Sequence, residues 1–233
     1  MDGEGIRVGA RGNLATFAFY ANKQLTTAEG GLVVPPSPEV AARLRSERNQ
    51  GRAEDMDWLS HDRLGFNYRL TELQAALGEA QLERVEELLA ARARAASLYE
   101  EGLAAIGGAA AGEGDPEGLV LPCRDRGTER RSWFIYAVLL PAGADRDGLV
   151  RELGRRGIQA KGYMPCIHLM PHYRERFGFR EGQFPVAEGA SARLLALPFF
   201  GGITEEQVER VCAALAGALG RSPRMSRRPL GRG

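Results

Sequence analysis

Short apolar runs separated by turn residues dominate the first part of the chain. Residues 14–20 and 32–34 are β-prone runs, and they flank a polar loop that carries Lys23. The Ser-Pro-Glu sequence at 37–39 predicts a helix start, because serine caps helices, proline suits the first position and an acid favours the positive end. This helix should end near Gly51. The pattern therefore predicts strand, loop, strand and helix, in that order.

A long helix is predicted after a loop over 52–66, where no sustained period is present. Thr71 and Gln74 have the spacing of a capping box. Apolar positions at helical spacing follow and extend the predicted helix to about residue 106. A helix of this length would measure roughly 50 Å, so we expect it to connect two domains or to support a dimer. The glycine-rich stretch 107–118 is then predicted to be a linker.

The remainder of the chain shows shorter periodic segments. We predict strands over 132–140, 158–163 and 195–198, helices over 145–156 and from a second capping box at Thr204, and a loop over 165–184 with one helical turn at 173–177. The basic tail 221–233 lacks core-forming residues, and we expect it to be disordered.

Composition narrows the possible partners. A net charge of +1 predicts neither nucleic acid nor an anionic membrane as partner, and no helix-turn-helix segment with a basic face is evident. No apolar run approaches the roughly 20 residues that span a bilayer. The three cysteines show no paired zinc-ligand spacing, so we expect no metal site and a reducing, cytoplasmic location.

Lysine is rare in this chain: of 31 basic residues only Lys23 and Lys161 are lysines. Arginine stays charged in any plausible site, whereas a lysine amine can lose its proton and become a nucleophile. Lys23 follows an apolar strand, and apolar surroundings disfavour the charged amine and favour Schiff-base chemistry. The alternative is an ordinary solvated lysine, which is the interpretation preferred for Lys161.

Three blocks of sequence resemble one known family. Residues 16–34, TFAFYANKQLTTAEGGLVV, look like the signature of the DegT/DnrJ/StrS family of sugar aminotransferases that depend on pyridoxal 5'-phosphate (PLP). Residues 64–76, LGFNYRLTELQAA, are similar to its second motif. Three short segments resemble the family's C-terminal block: Ile-His-Leu at 167–169, Phe-Pro-Val-Ala-Glu at 184–188 and Leu-Pro-Phe at 197–199. Together these blocks cover about residues 5–220.

The resemblance implies an α/β fold. Residues 1–70 would be the end of a PLP-transferase large domain, with a mixed sheet and helices. Residues 71–106 would be a long connecting helix, and 107–220 a smaller α+β domain before the tail 221–233.

The resemblance also implies roles for individual residues. Lys23 would bind PLP as a Schiff base and shuttle a proton. Asn67 matches an asparagine that reaches the PLP phosphate of the neighbouring subunit, which implies a homodimer with shared active sites; the alternative is a turn asparagine. Tyr20, Arg69 and His168 fall where the family lines its sugar-nucleotide pocket, although each could be a packed aromatic, a surface cation or a loop histidine.

The implied reaction is amino transfer, because the related dehydrases have histidine in place of the lysine. Glutamate or glutamine would donate to a keto group of a nucleotide-linked sugar, in cell-surface polysaccharide or secondary-metabolite sugar biosynthesis. Ala18 departs from the family, which usually has a serine there that donates to the PLP phosphate. One hydrogen bond of about 1.5–3 kcal/mol would be missing unless Thr16 or a water replaces it.

A second departure concerns the region before the lysine motif. In the family a long N-terminal portion supplies an aspartate for the pyridine nitrogen, a stacking aromatic and phosphate donors, and this sequence does not contain it. We therefore expect a truncated enzyme. The alternative is a catalytically inactive remnant that serves as a binding or oligomerisation module.

Overall fold

The structure, a computed structural model, describes residues 2, 4–53 and 60–220. Two compact units are present: the first comprises Met1–Leu89 and Asp125–Phe134, and the second comprises Ala90–Arg124 and Ile135–Gly233. The predicted tail 221–233 and the middle of the predicted loop 52–66 lie outside the described residues. Within the described ranges, no helix has the length and apolarity that crossing a bilayer requires.

The first unit begins with the predicted strand, loop, strand and helix. Strand β1 (Ala15–Ala18) pairs antiparallel with β2 (Gly31–Val34), so the two form a hairpin around the Lys23 loop. Helix α1 (Pro38–Arg48) begins after Ser37, whose hydroxyl accepts a hydrogen bond from the Val40 N–H at 3.4 Å. These three elements are confirmed.

The helix predicted over 71–106 is two helices in the structure, α2 (Glu72–Leu82) and α3 (Val85–Ala104). At the junction the Arg84 N–H donates to the Gln81 carbonyl at 3.1 Å. This bond spans three residues, as in a 3₁₀ turn, whereas the bonds of an α-helix span four. The apolar residues recur about every 3.6 positions both before and after this turn, because both sides are helical. The sequence pattern therefore does not reveal the break.

The second unit contains a mixed sheet of five strands: β3 (Ala109–Ala110), β4 (Val120–Leu121), β5 (Ala137–Leu139), β6 (Lys161–Gly162) and β7 (Leu194–Ala196). Their order in the sheet is β3-β4-β5-β7-β6; the β3–β4 pair is parallel and the other neighbouring pairs are antiparallel. Its helices after α3 are α4 (Arg146–Arg155), α5 (Pro171–Phe177), α6 (Pro185–Arg193) and α7 (Glu205–Ala218). The mixed α/β class is confirmed.

Several boundaries differ from the sequence prediction. The stretch 107–118 is more than a linker, because β3 lies inside it and pairs with β4. The strand predicted over 132–140 begins only at β5, since Trp133 has a φ of +35°, which a strand residue cannot adopt. Helix α6 was not predicted from the sequence.

The core of the second unit is built around two aromatic side chains. Tyr99 and Tyr136 are fully buried, with ring centroids 5.0 Å apart. The Tyr99 hydroxyl donates to the Pro198 carbonyl at 2.6 Å, and burial raises the pKa of Tyr99 well above its ordinary value. This core fixes α3 against the strands of the sheet.

Candidate functional site

Lys23 lies just after β1, in a turn closed by a bond from its own N–H to the Tyr20 carbonyl at 2.9 Å. Its side chain is half-buried. The amine Nζ lies 3.9 Å from the centroid of the Phe134 ring, which belongs to the same unit. A cation in this position is attracted by the negative face of the ring.

The loop that follows Lys23 is fixed by its threonines. The Thr27 N–H and the Thr26 hydroxyl both donate to the Phe19 carbonyl, at 2.9 and 3.1 Å. Thr27 is 2% exposed, and its hydroxyl donates to the Glu29 carbonyl at 2.7 Å. A side chain at Gly30 would collide with the Thr27 hydroxyl, so glycine is required where the chain enters β2.

Helix α2 contacts this loop through two glutamines one heptad apart. Gln81 is bonded to both backbone groups of Thr26: its Nε2 donates to the carbonyl at 2.6 Å, and its Oε1 accepts from the N–H at 3.2 Å. Gln74 donates to the Glu29 carbonyl at 2.7 Å and also completes the predicted capping box with Thr71. The loop is therefore positioned by side chains outside the hairpin.

Asn67 is positioned by the C-terminal end of α1. Residues 66–68 run alongside residues 47–50: the Phe66 N–H donates to the Glu47 carbonyl at 2.6 Å, and Asn49 forms a β-bridge with Asn67. The side chain of Asn67 is exposed. Arg69 is also exposed, and its guanidinium donates to Asn49 Oδ1 at 3.4 Å.

Ala18 and Tyr20 lie on and just beyond the end of β1. Ala18 pairs with Gly31, and its side chain is exposed. Thr16 is two residues earlier on the same strand and therefore presents its hydroxyl on the same face as Ala18. Tyr20 is 50% exposed.

His168 belongs to the second unit, where it faces Glu188. Its Nε2 lies 2.9 Å from Glu188 Oε1, and both side chains are largely buried. The backbone N–H groups of Gly182 and Phe184 and the His168 ring hold the pKa of the Glu188 carboxyl below its ordinary range. His168 also lines a groove of about 540 Å³, together with Tyr173, Phe179, Phe184 and neighbouring apolar side chains.

The structure thus groups the sequence-predicted residues into three places. Ala18, Tyr20 and Lys23 lie together on the hairpin and its turn, Asn67 and Arg69 lie beside the end of α1, and His168 lies in the second unit. Sequence reasoning did not find Phe134 or Gln81. Nothing in their local sequence signals contact with the Lys23 loop, because both contacts are long-range.

The chemistry of these residues suits PLP. Lys23 is a half-buried primary amine in the turn that follows β1, and a primary amine is the nucleophile that an aldehyde cofactor requires. Thr16 and Asn67 present an exposed hydroxyl and amide, both of which can donate to a phosphate.

Comparison with solved structures gives the class of protein: the chain has the fold of PLP-dependent aminotransferases. It is similar to S. venezuelae DesV, with 32% identity and a TM-score of 0.79 over 93% of this chain and 54% of that chain. It is also similar to the aminotransferase TlmJ from Streptoalloteichus hindustanus, with 26% identity and a TM-score of 0.80 over 94% of this chain and 55% of that chain. The chain belongs to the DegT/DnrJ/EryC1/StrS aminotransferase family, whose model matches residues 2–216.

Curated relatives include two GDP-perosamine synthases. The Caulobacter vibrioides protein is 36% identical over 214 residues, covering 91% of this chain and 54% of the relative. The Vibrio cholerae protein is 31% identical over 209 residues, covering 89% of this chain and 53% of the relative. The chain therefore spans about half the length of the curated relatives it matches.

Proposed function

We propose that this protein is a PLP-dependent aminotransferase that moves an amino group from glutamate or glutamine to a keto group of a nucleotide-linked sugar. The observation that carries the proposal is Lys23, half-buried in the turn after β1 within the motif that resembles the family's. The relatives named as GDP-perosamine synthases support a nucleotide-linked sugar as the acceptor. The proposal includes a cytoplasmic location and a homodimer.

PLP would supply the electrophilic aldehyde and the electron sink. Lys23 would bind it covalently and take the α-proton of the amino donor at Nζ. Asn67 would donate to the phosphate bound by the neighbouring subunit. Thr16 would replace the serine hydroxyl that Ala18 lacks, because the two residues share one face of β1. Tyr20, Arg69 and His168 would contact the sugar nucleotide.

The chain offers a sharp test of cofactor attachment, since it contains only two lysines. The purified 233-residue chain is incubated with PLP, reduced with borohydride and digested, and the modified peptide is identified by mass spectrometry. We expect the phosphopyridoxyl group on Lys23. Lys23→Ala should abolish the label and the accompanying absorbance band, whereas Lys161→Ala, the matched control at an exposed lysine of β6, should leave both unchanged.

Equal labelling of Lys161, or an unchanged spectrum in Lys23→Ala, would contradict the proposal.

Amino transfer itself is tested by following 2-oxoglutarate release from glutamate in the presence of GDP- and dTDP-linked keto sugars. Release of more than one equivalent per protein that depends on the sugar and disappears in Lys23→Ala is the expected result.

A binding or oligomerisation module without catalysis is the second candidate, and the surface of α2 favours it. In the part of the chain that the structure describes, this helix has no buried residue, and Leu73 and Leu77, four residues apart on one face, are 85% and 44% exposed. Exposed leucines at this density are typical of interaction surfaces. This candidate predicts self-association without PLP trapping: light scattering would report a dimer that Leu73→Ser and Leu77→Ser together reduce to a monomer. Lys23-dependent amino transfer would overturn it.

A further inference from the structure

Segment 125–134 is distant from the Lys23 loop in sequence, yet it belongs to the same unit and contacts that loop directly. Its Phe134 ring lies 3.9 Å from the Lys23 Nζ. Two residues before Phe134, Ser132 Oγ accepts a hydrogen bond from Gln24 Nε2 at 2.8 Å. Two consecutive loop residues are therefore bound by two residues of the segment.

The other end of the segment is attached to the beginning of the chain. The Thr128 hydroxyl donates to the Asp2 carbonyl at 3.2 Å. The segment is consequently attached to the rest of the first unit at two places, Thr128 and residues 132–134, and the Lys23 amine lies at the second.

The segment is also braced internally. Arg131 forms an ion pair with Asp125 at 2.7 Å, which closes the loop between them, and both side chains are about one-third exposed. The Arg131 guanidinium lies 4.6 Å from the centroid of the Trp133 ring. These contacts fix the backbone on either side of Ser132.

Trp133 has a φ of +35°, which a bulky residue adopts only when its surroundings impose it. The residues on either side of it, Ser132 and Phe134, both contact the Lys23 loop. The strained conformation is thus located where the segment presents its aromatic ring to the amine.

We propose that segment 125–134 is a clasp for the Lys23 loop, and that Phe134 is a positioning residue that holds the Lys23 amine against its ring. The ring attracts the ammonium form and covers one side of Nζ, so the amine is kept at a fixed place while it is not attached to PLP. This inference rests on the proposed function, because the position of the Lys23 amine affects the reaction only if Lys23 is the reactive group.

The test measures the reactivity of the Lys23 amine in the absence of cofactor. It can therefore fail while PLP trapping at Lys23 succeeds, and it can succeed while PLP trapping fails. The full chain is treated with a limiting amount of an amine-acylating reagent, and the ratio of Lys23 to Lys161 acylation is read by peptide mass spectrometry. Lys161 serves as the internal reference, because it is exposed and lies in the other unit.

Phe134→Leu should raise the Lys23 to Lys161 ratio by about two- to fivefold, the range expected for loss of one partly exposed cation–π contact. Phe134→Tyr keeps an aromatic face and should leave the ratio at the wild-type value. Ser132→Ala removes the hydrogen bond from Gln24 and should raise the Lys23 to Lys161 ratio by a smaller amount than Phe134→Leu does.

A ratio that stays the same or falls in Phe134→Leu would overturn the proposal, as would an equal rise in Phe134→Tyr. Amide hydrogen exchange of β1 and β2 shows whether Phe134→Leu still folds in this region. If the hairpin exchanges freely in that variant, Ser132→Ala decides, and an unchanged ratio there would overturn the proposal.

Discussion

The side chain of Gln81 is hydrogen-bonded to both backbone groups of Thr26, with Nε2 2.6 Å from the carbonyl oxygen and Oε1 3.2 Å from the amide nitrogen. These two bonds imitate the pairing of a β-strand neighbour. They hold the loop after Lys23 against α2, where Gly78 leaves room for the Thr27 methyl group. The position of the candidate nucleophile therefore depends on a residue of a different element.

Gln81→Ala should destabilise the protein by about 1–3 kcal/mol, because it leaves the Thr26 donor and acceptor without this partner. Urea unfolding gives the loss of stability, and amide hydrogen exchange should show faster exchange at Thr26 and Thr27. Glu79→Ala, at an exposed position of the same helix, is the control and should change stability by no more than about 0.5 kcal/mol. Equal effects of the two substitutions would show that the Gln81 bonds do not stabilise the loop.

Gly65 is required by a close backbone approach. A Cβ at Gly65 would overlap the backbone of Gln50 and Gly51, which follow α1. Gly65→Ala should therefore destabilise the protein by about 2 kcal/mol or more and should detach residues 66–68 from α1. Thermal unfolding and loss of exchange protection at the Phe66 N–H are the measurements.

Gly154 provides the matched control for this substitution. It lies in α4, and a Cβ there would contact no neighbouring atom within 4 Å. Gly154→Ala should stabilise the protein by about 0.5–1 kcal/mol, because alanine is the better helix former. A destabilisation by Gly65→Ala that is no larger than a few tenths of a kcal/mol would contradict the close approach.

Gly102 on α3 faces Cys212 on α7. A methyl group at Gly102 would lie 2.7 Å from the Cys212 Sγ, and burial raises the pKa of this thiol to about 12. Gly102→Ala should destabilise the protein by about 1–3 kcal/mol through overpacking, despite its gain in helix propensity. In a double-mutant cycle, Cys212→Ala should relieve about 1 kcal/mol or more of that loss. Additive effects would indicate that the two positions do not meet.

Glu188 should make stability depend on pH. The Gly182 and Phe184 N–H groups and the His168 ring lower the pKa of this carboxyl below its ordinary value of 4.5. Since the folded pKa is the lower one, the carboxylate stabilises the protein above pH 4.5, and this contribution is lost as the pH falls through the folded pKa. Glu188→Gln should therefore lower the urea midpoint at about pH 7 more than at about pH 3.5.

Glu181→Gln is the control for this pH dependence, because Glu181 is exposed and close to Glu188 in sequence. It should leave the difference between the two pH values as in the wild type. If both variants lose the same stability at both pH values, the bonds to Glu188 do not account for the pH dependence.

The elements that the sequence predicted well are those set by local chemistry. Ser37, Thr71 and Thr204 each accept a bond from an N–H three residues later, so their helices begin where the sequence indicates. The two strands of the hairpin follow from short β-prone runs around a polar loop. The Lys23 motif and the family it identifies are likewise present in the sequence alone.

The tertiary structure decided what these local signals do not contain. Gln81 and Thr26 are 55 positions apart, and Gln24 and Ser132 are 108 positions apart, so no periodic pattern links them. The strand expected around Trp133 is lost because the segment turns back to the Lys23 loop. Periodicity reports which residues share a face over a few turns, whereas the contacts that hold the Lys23 amine form only when distant segments pack together.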